Sequence, residues 1–453
     1  MDTKFMNVLI LGFGFMFVFT SFQTMGNIEK TILQSISKDD PNFKGDGYTS
    51  LAVIYASFAL CNWLAPSFIS FTGPRTAMIV GAITYTLFMI IFLFPTTWLL
   101  YLASALLGAG ASITWTGQGT FLARCSDPTN ISRNSGIFWA LLQCSMFFGN
   151  LFVYYQFQDK DHIDAATRTQ VIVVLIAVAV LGIIFLSTLR PVLDNTEVSD
   201  TELQQQRTGL GSAIYALKSA GQLFMTRDML LLSLAFLYTG FELSFFSGVY
   251  GASIGFTKKI SDTPKEILGL AGICIGAGEV FGGGLFGILG PKTTRYGRDP
   301  IVIAGYVLHM VAFFLIFMNL PNNAPFSDTD DISYMDPPRP SLALLCAFLL
   351  GFGDACFNTQ IYSMLGGVFV KNSVGAFALF KFTQSVAAAI SFFYSSHLGL
   401  RAQLAILVVF GTVGTACFCV VEWAAKRRAR IEASSDDSRD VSNDSQSVSS
   451  YGK

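Results

Sequence analysis

Long apolar runs alternate along this chain with short polar stretches, and the runs are of similar length. Residues 5–26 read FMNVLILGFGFMFVFTSFQTMG and residues 169–189 read TQVIVVLIAVAVLGIIFLSTL. A bilayer core about 30 Å thick takes roughly 20 residues of helix. That rule predicts twelve spans, at about 5–26, 49–70, 77–95, 98–121, 135–157, 169–189, 229–251, 267–289, 300–319, 341–363, 374–396 and 402–423. Polar linkers such as SISKDDPNFKGDGY, QDKDHIDAATR and DTDDISYMDPPRP stand between them. The first run follows Lys4, as a signal peptide would. It is long, however, and no small-x-small cleavage site precedes the polar stretch after Met25, so it is expected to stay as a span.

The longest linker, 190–228, separates spans six and seven. It is polar at first (DNTEVSDTELQQQRT) and then amphipathic (SAIYALKSAGQLFM). The expected organisation is a six-helix bundle at 1–189, a cytosolic linker at 190–228, a second six-helix bundle at 229–423 and a tail at 424–453. The tail opens with the basic run KRRAR and becomes Ser- and Asp-rich, a composition that predicts disorder.

Composition agrees with the pattern. Of 453 residues, 52% are hydrophobic, 14% aromatic and only 13% charged, against about 25% charged in soluble domains. Too few solvating side chains remain for a water-facing surface, so the chain reads as an all-α integral membrane protein. A net charge of −1 argues against a nucleic-acid partner. The eight cysteines lie in apolar runs or at their ends, and the three histidines are far apart. Neither a disulfide framework nor a metal site is expected, and no cofactor. No G-x-G-x-x-G turn, P-loop or Ser-His-Asp grouping is visible, so the chain is not expected to be an enzyme.

Orientation follows from Lys and Arg near span ends. With both termini cytosolic, that side collects 18 of the 29, six of them in the tail. The sequons NIS (130–132) and NDS (443–445) then face the cytosol and should carry no glycan. No sorting signal chooses between plasma membrane and endolysosomal membrane.

Ionisable residues inside spans cost about 2.5–3.5 kcal/mol each at the bilayer centre. Four stand out, all in the second half: Glu242, Glu279, Asp354 and Lys381. They must face the protein interior or a wet cavity. The first half offers neutral groups, among them Gln23, Asn27, Gln118 and Gln143. Helical spacing gathers both sets into faces: Gln23 with Asn27, Trp115 with Gln118, Trp139 with Gln143, Tyr238 with Glu242, Asp354 with Asn358 and Lys381 with Gln384. Glu279 shares its face with Gly272, Gly276 and Gly283, a surface for close helix contact. Lys381 reads equally as an ion-pair partner or a snorkelling stem. Lone His309 reads as a satisfied interior group. Glu242 and Asp354 are the best candidates to carry coupling protons or bind a coupling cation.

After span eight the chain reads GPKTTRYGRD (290–299), and after span two FTGPRT (71–76). Both resemble the loop G-x-x-x-D-R-x-G-R-R that the major facilitator superfamily carries at these two places. The first matches at Gly290, Arg295, Gly297 and Arg298 and departs at Thr294 and Asp299; the second keeps only Gly73 and Arg75. Arg295 and Arg298 are candidates for a gating loop, against ordinary positive-inside anchoring. The stretches FTSFQTMGN, GDGYTSLAVIY, RNSGIFWALLQ, YTGFELSFFSGVYG, GAGEVFGG and GFGDACFNTQ look like the Unc-ninety-three-like branch of that superfamily. The likeness runs from about residue 5 to 423, leaving out the linker.

The resemblance implies two helical bundles around a central cavity, lined mainly by helices one, four, seven and ten. It also implies two functions to weigh, since some relatives are regarded as accessory or trafficking partners of other membrane proteins. The first expectation is a secondary transporter in the lipid bilayer for an unidentified small organic solute, with protons as a candidate coupling ion. The rival is a non-transporting partner of another membrane protein, such as a channel or receptor.

Overall fold

The computed structural model describes residues 3–126, 131–158, 163–191, 218, 221–369 and 373–450. Its helices are α1 (Thr3–Asp39), α2 (Gly47–Cys61), α3 (Ala65–Thr72), α4 (Pro74–Ile91), α5 (Thr97–Arg124), α6 (Ile131–Phe157) and α7 (Ala165–Ser187) in the first half. The second half holds α8 (Arg227–Phe256), α9 (Pro264–Tyr296), α10 (Asp299–Asn319), α11 (Pro340–Val368), α12 (Ser373–Ser395) and α13 (Leu400–Ser450). Among the described residues, eleven helices are long and apolar enough to cross a membrane. Here "near face" is the face where α1 begins and "far face" the one where it ends.

The second expected span is the exception, being broken into α2 and α3 by a turn at residues 62–64. Pro66 supplies the reason. It has no N–H to give, and its ring would clash with the carbonyl of Asn62 in a continuous helix.

Two helices overrun their expected ends. Span one was expected to stop near residue 26, yet α1 continues to Asp39. Its extension buries Ile28, Thr31, Ile32, Ser35 and Ile36 at spacings of one, three and four, the stripe of an amphipathic helix held inside protein. Arg168 of α7 anchors its end, pairing with Asp39 at 2.5 Å and donating to the Ser35 hydroxyl at 2.5 Å. The backbone helix that begins at Leu400 also runs past the expected end of the last span, as far as Ser450. No Gly or Pro interrupts residues 424–451, and KRRARIEA is made largely of good helix formers. Most of the 190–228 linker lies outside the described residues.

In the first half α1 packs on α6 and α7, α2 on α5, and α4 on α5 and α7. In the second, α8 packs on α12 and α13, α9 on α11, and α10 on α11 and α13. The halves meet through α6 on α9, α2 on α12, and α1 on the far end of α8. Large apolar side chains face outward, among them Phe71 (80% exposed) and Phe314 (62%), a surface that suits lipid and not water.

The far face is fastened across the halves. Lys38 of α1 reaches Asp328 of the α10–α11 loop at 2.7 Å, and Lys265 of α9 holds the same carboxylate at 2.8 Å. The Tyr48 hydroxyl donates to the Pro325 carbonyl at 2.9 Å. Asp46 caps α2 by accepting from the Thr49 amide, pairs with Lys30, and accepts from the Ser396 hydroxyl of the second half at 2.6 Å. Burial opposes charge on Asp46 and Asp328. Lys30 at the first, and Lys265 with Lys38 at the second, nevertheless hold both carboxyls below the usual carboxylate range.

Candidate functional site

Polar residues stand at mid-depth on α6 and α9, where the halves meet, and on α8 and α11. Glu242 sits near the middle of α8, Glu279 of α9, Asp354 of α11 and Gln143 of α6. The three carboxyls are 1%, 4% and 7% exposed. They form one cluster. Gln143 donates to Glu279 at 2.5 Å, a contact that joins the first half to the second. Asp354 accepts from Asn358 on its own helix at 2.7 Å, and the Glu242 carboxyl faces it.

Close approach of helices builds this layer. Gly272 of α9 faces the Asn150 side chain of α6, where a Cβ would have no room, and Gly278 and Gly282 do the same against α11. Of the glycine face read from the sequence, Gly272 and Gly276 meet α6, whereas Gly283 faces open space; the contacts with α11 come from Gly278 and Gly282, which that face did not include. In α8, three residues past Glu242, the helix widens into a π turn at Phe245–Val249, at the point where it meets α1. Such turns recur at functional positions in helices.

His309 of α10 lies behind the carboxyls and is fully buried. Its Nε2 donates to the Leu350 carbonyl at 3.0 Å, so its Nδ1 accepts from the Tyr238 hydroxyl at 2.5 Å. That fixes the tautomer of a neutral ring. Nε2 is also 3.5 Å from a Glu242 oxygen. His309 is thus the satisfied interior group that the sequence suggests, and it orients the helix carrying Glu242 as well.

Lys381 does not form an ion pair among the described residues. Its Nζ donates to Gln384 at 3.0 Å and lies over the rings of Phe380 and Tyr362, at 4.8 and 5.5 Å. Gln384 in turn donates to Thr239 of α8 at 3.3 Å. Toward the near face the layer is aromatic. Trp115 stacks on Trp139 at 5.8 Å, and Trp139 meets Tyr362 of the other half at 5.7 Å. Gln118 is buried on α5 close by.

Gln23 and Asn27 keep their hydrogen bonds within the first half, although the Asn27 side chain packs against Gly251 of α8. Gln23 accepts from the Ser145 hydroxyl and Asn27 donates to Asn150 at 2.8 Å. The two loop motifs are split likewise. Gly73 has φ 78° between α3 and α4, and Arg75 donates to the Ser187 carbonyl. Gly297 has φ 99° between α9 and α10. Arg298 then holds Glu422 of α13 twice, through its amide at 3.0 Å and its guanidinium at 2.9 Å, and gives its Nε to Ser363 of α11. These contacts lie within the second half. The surroundings of Gly290 and the side chain of Arg295 lie outside what is described.

Buried charge is not confined to the four residues legible in the sequence. Glu29 of α1 (0% exposed) puts a carboxyl in the first half, correcting the expectation that all lie in the second, and Glu422 is 1% exposed. Glu29 was hidden because the apolar run ends before it. Glu422 lies one residue before the expected end of the last span, where a carboxylate reads as solvated.

Two bundles of membrane helices meeting at a polar mid-depth layer define a fold of the major facilitator type. A crystal structure of the peptide transporter POT in complex with sulfate aligns with a TM-score of 0.65 at 14% identity, covering 94% of this chain and 95% of that one; the likeness is one of fold. The family model described as "Ion channel regulatory protein UNC-93" matches residues 41–419, and the chain belongs to the UNC-93 family. It is 43% identical over 442 residues to the UNC93-like protein MFSD11 of Xenopus tropicalis, covering 95% of this chain and 98% of that one. It is 44% identical over 437 residues to the protein of the same name from Xenopus laevis, covering 94% and 98%.

Proposed function

We propose that this chain is a secondary transporter that moves a small organic solute by alternating access, with protons carried by the Glu242–Asp354 carboxyl pair. The observation that carries the reading is the Gln143–Glu279 contact. It ties a buried carboxyl cluster to the seam between the halves, where rocking of one half on the other would expose it to either face in turn. A carboxyl that meets each side alternately, and shares a proton with a neighbour, has what proton coupling needs. Glu279, Lys381, Asn358, Gln384 and the Trp115–Trp139 stack would line the path. Both termini would face the cytosol, following the basic run at 426–430.

The test is solute uptake into sealed vesicles with and without a proton gradient, comparing wild type with a correctly inserted Glu242→Gln, Asp354→Asn double variant. The expected outcome is a solute whose gradient-driven movement is lost in the variant. A variant that keeps full gradient-dependent uptake would overturn the proton role of this pair.

A second reading is favoured by the description of the family as ion-channel regulators. In it the chain binds another membrane protein and sets its gating or traffic. A membrane partner recovered at fixed stoichiometry, together with no solute moved by the wild type, would favour it.

A further inference from the structure

The stretch of α1 that emerges toward the far face carries a carboxyl whose oxygens are left without hydrogen bonds. Glu29 is fully buried, and neither oxygen meets hydrogen-bond geometry with a described donor. Ser50 and the Asp46 carboxylate face it, and the Ser50 hydroxyl is already engaged with Ser104 at 2.9 Å. Cations on the surrounding elements have other partners. Lys30 pairs with Asp46 and Lys38 with Asp328. Arg168 of α7 pairs with Asp39, and Lys265 of α9 with Asp328. Tyr48 of α2 and Tyr250 of α8 give their hydroxyls to the Pro325 and Ala343 carbonyls.

The position matters as much as the burial. Asp46, facing Glu29, also bonds Ser396 of the second half, and Tyr48 two residues on bonds the loop at Pro325. Glu29 therefore lies under the contacts that hold the far face shut. We propose that Glu29 is a proton-binding residue that couples the pH at the far face to closure of the two halves there.

The sign follows from solvation. A buried carboxylate with no counter-charge, and only the Ser50 hydroxyl facing it, is far costlier than the neutral acid, so the closed arrangement takes Glu29 with its proton on. Opening the far face would bring water to the α1–α2 corner and let the carboxyl ionise, releasing the proton to the solvent. Proton binding and closure then favour each other. Acid at the far face closes it and alkali opens it. The proposal rests on the alternating-access reading for its motion, but its readout needs no solute, so failure to transport would leave it testable.

The experiment is hydrogen–deuterium exchange of the full chain in nanodiscs, read at residues 40–50 and 320–329 and corrected for intrinsic rate. The range runs from about pH 5 to about pH 9, where buried glutamates have been found to titrate. Wild type is expected to exchange about tenfold faster or more at the alkaline end, one unit of difference in proton affinity between the two forms being worth a factor of ten. Glu29→Gln should stay protected throughout, and Glu29→Asp should keep a pH-dependent rise. A Gln variant with the wild-type profile would overturn the proposal. So would a flat profile in the wild type, whatever the variants do.

Discussion

The hydroxyl of Tyr238 and the ring of His309 meet at 2.5 Å in a site closed to water. A buried acceptor that loses its only donor keeps its full desolvation cost, about 1–3 kcal/mol. Tyr238→Phe removes that donor while leaving the ring packed against Phe357 at 5.0 Å. The variant should insert normally and lose about 1–3 kcal/mol of stability, read as a lower thermal midpoint in detergent. An unchanged midpoint would mean that His309 Nδ1 finds another donor.

Arg298 shows how a loop motif becomes a fastening between elements. It joins the start of α10 to α13 through Glu422 and to α11 through Ser363. Breaking a buried ion pair by removing one partner typically costs about 3–5 kcal/mol, because a charge is left buried and unpaired. Here Lys426 stands 3.7 Å from the same Glu422, so Arg298→Gln should cost less, about 2–3 kcal/mol. The expected result in thermal unfolding is a destabilised variant that Glu422→Gln partly restores. No restoration would move the role of Arg298 from this pair to the gating that its motif suggests.

For the molecule as a whole, the far face is where closure is held by charge. Asp328 is shared between Lys38 of one half and Lys265 of the other. Despite burial, those lysines hold its carboxyl below the usual range. A carboxyl lowered in the closed form supports closure above its ordinary value of about 4. That support is lost only as pH falls through the lowered value. Exchange at residues 320–339 should therefore rise in strong acid, and Asp328→Asn should show the faster exchange already at neutral pH. An Asp328→Asn variant as protected as wild type would mean that the Tyr48 and Ser396 contacts suffice to hold the face. This acid limb lies below the window proposed for Glu29, so the two responses separate along one pH axis.

The rough positions of eleven of the twelve expected spans, the four charged residues within the second half and the Gly272–Gly276 part of the glycine face of α9 were legible in the chain. Each depends on local composition or on helical period, and a 20-residue apolar run has few alternatives in a bilayer. The break at Pro66 was equally local, though the apolar run around it conceals it. What the tertiary structure alone decided is who meets whom. Glu242 with Asp354 and His309, Gln143 with Glu279, and Arg298 with Glu422 are pairs between helices far apart in sequence. No spacing rule reaches across them. Glu29 is the clearest case, because the apolar run ends before it and only the packing of other helices, α2 among them, around α1 takes it out of water.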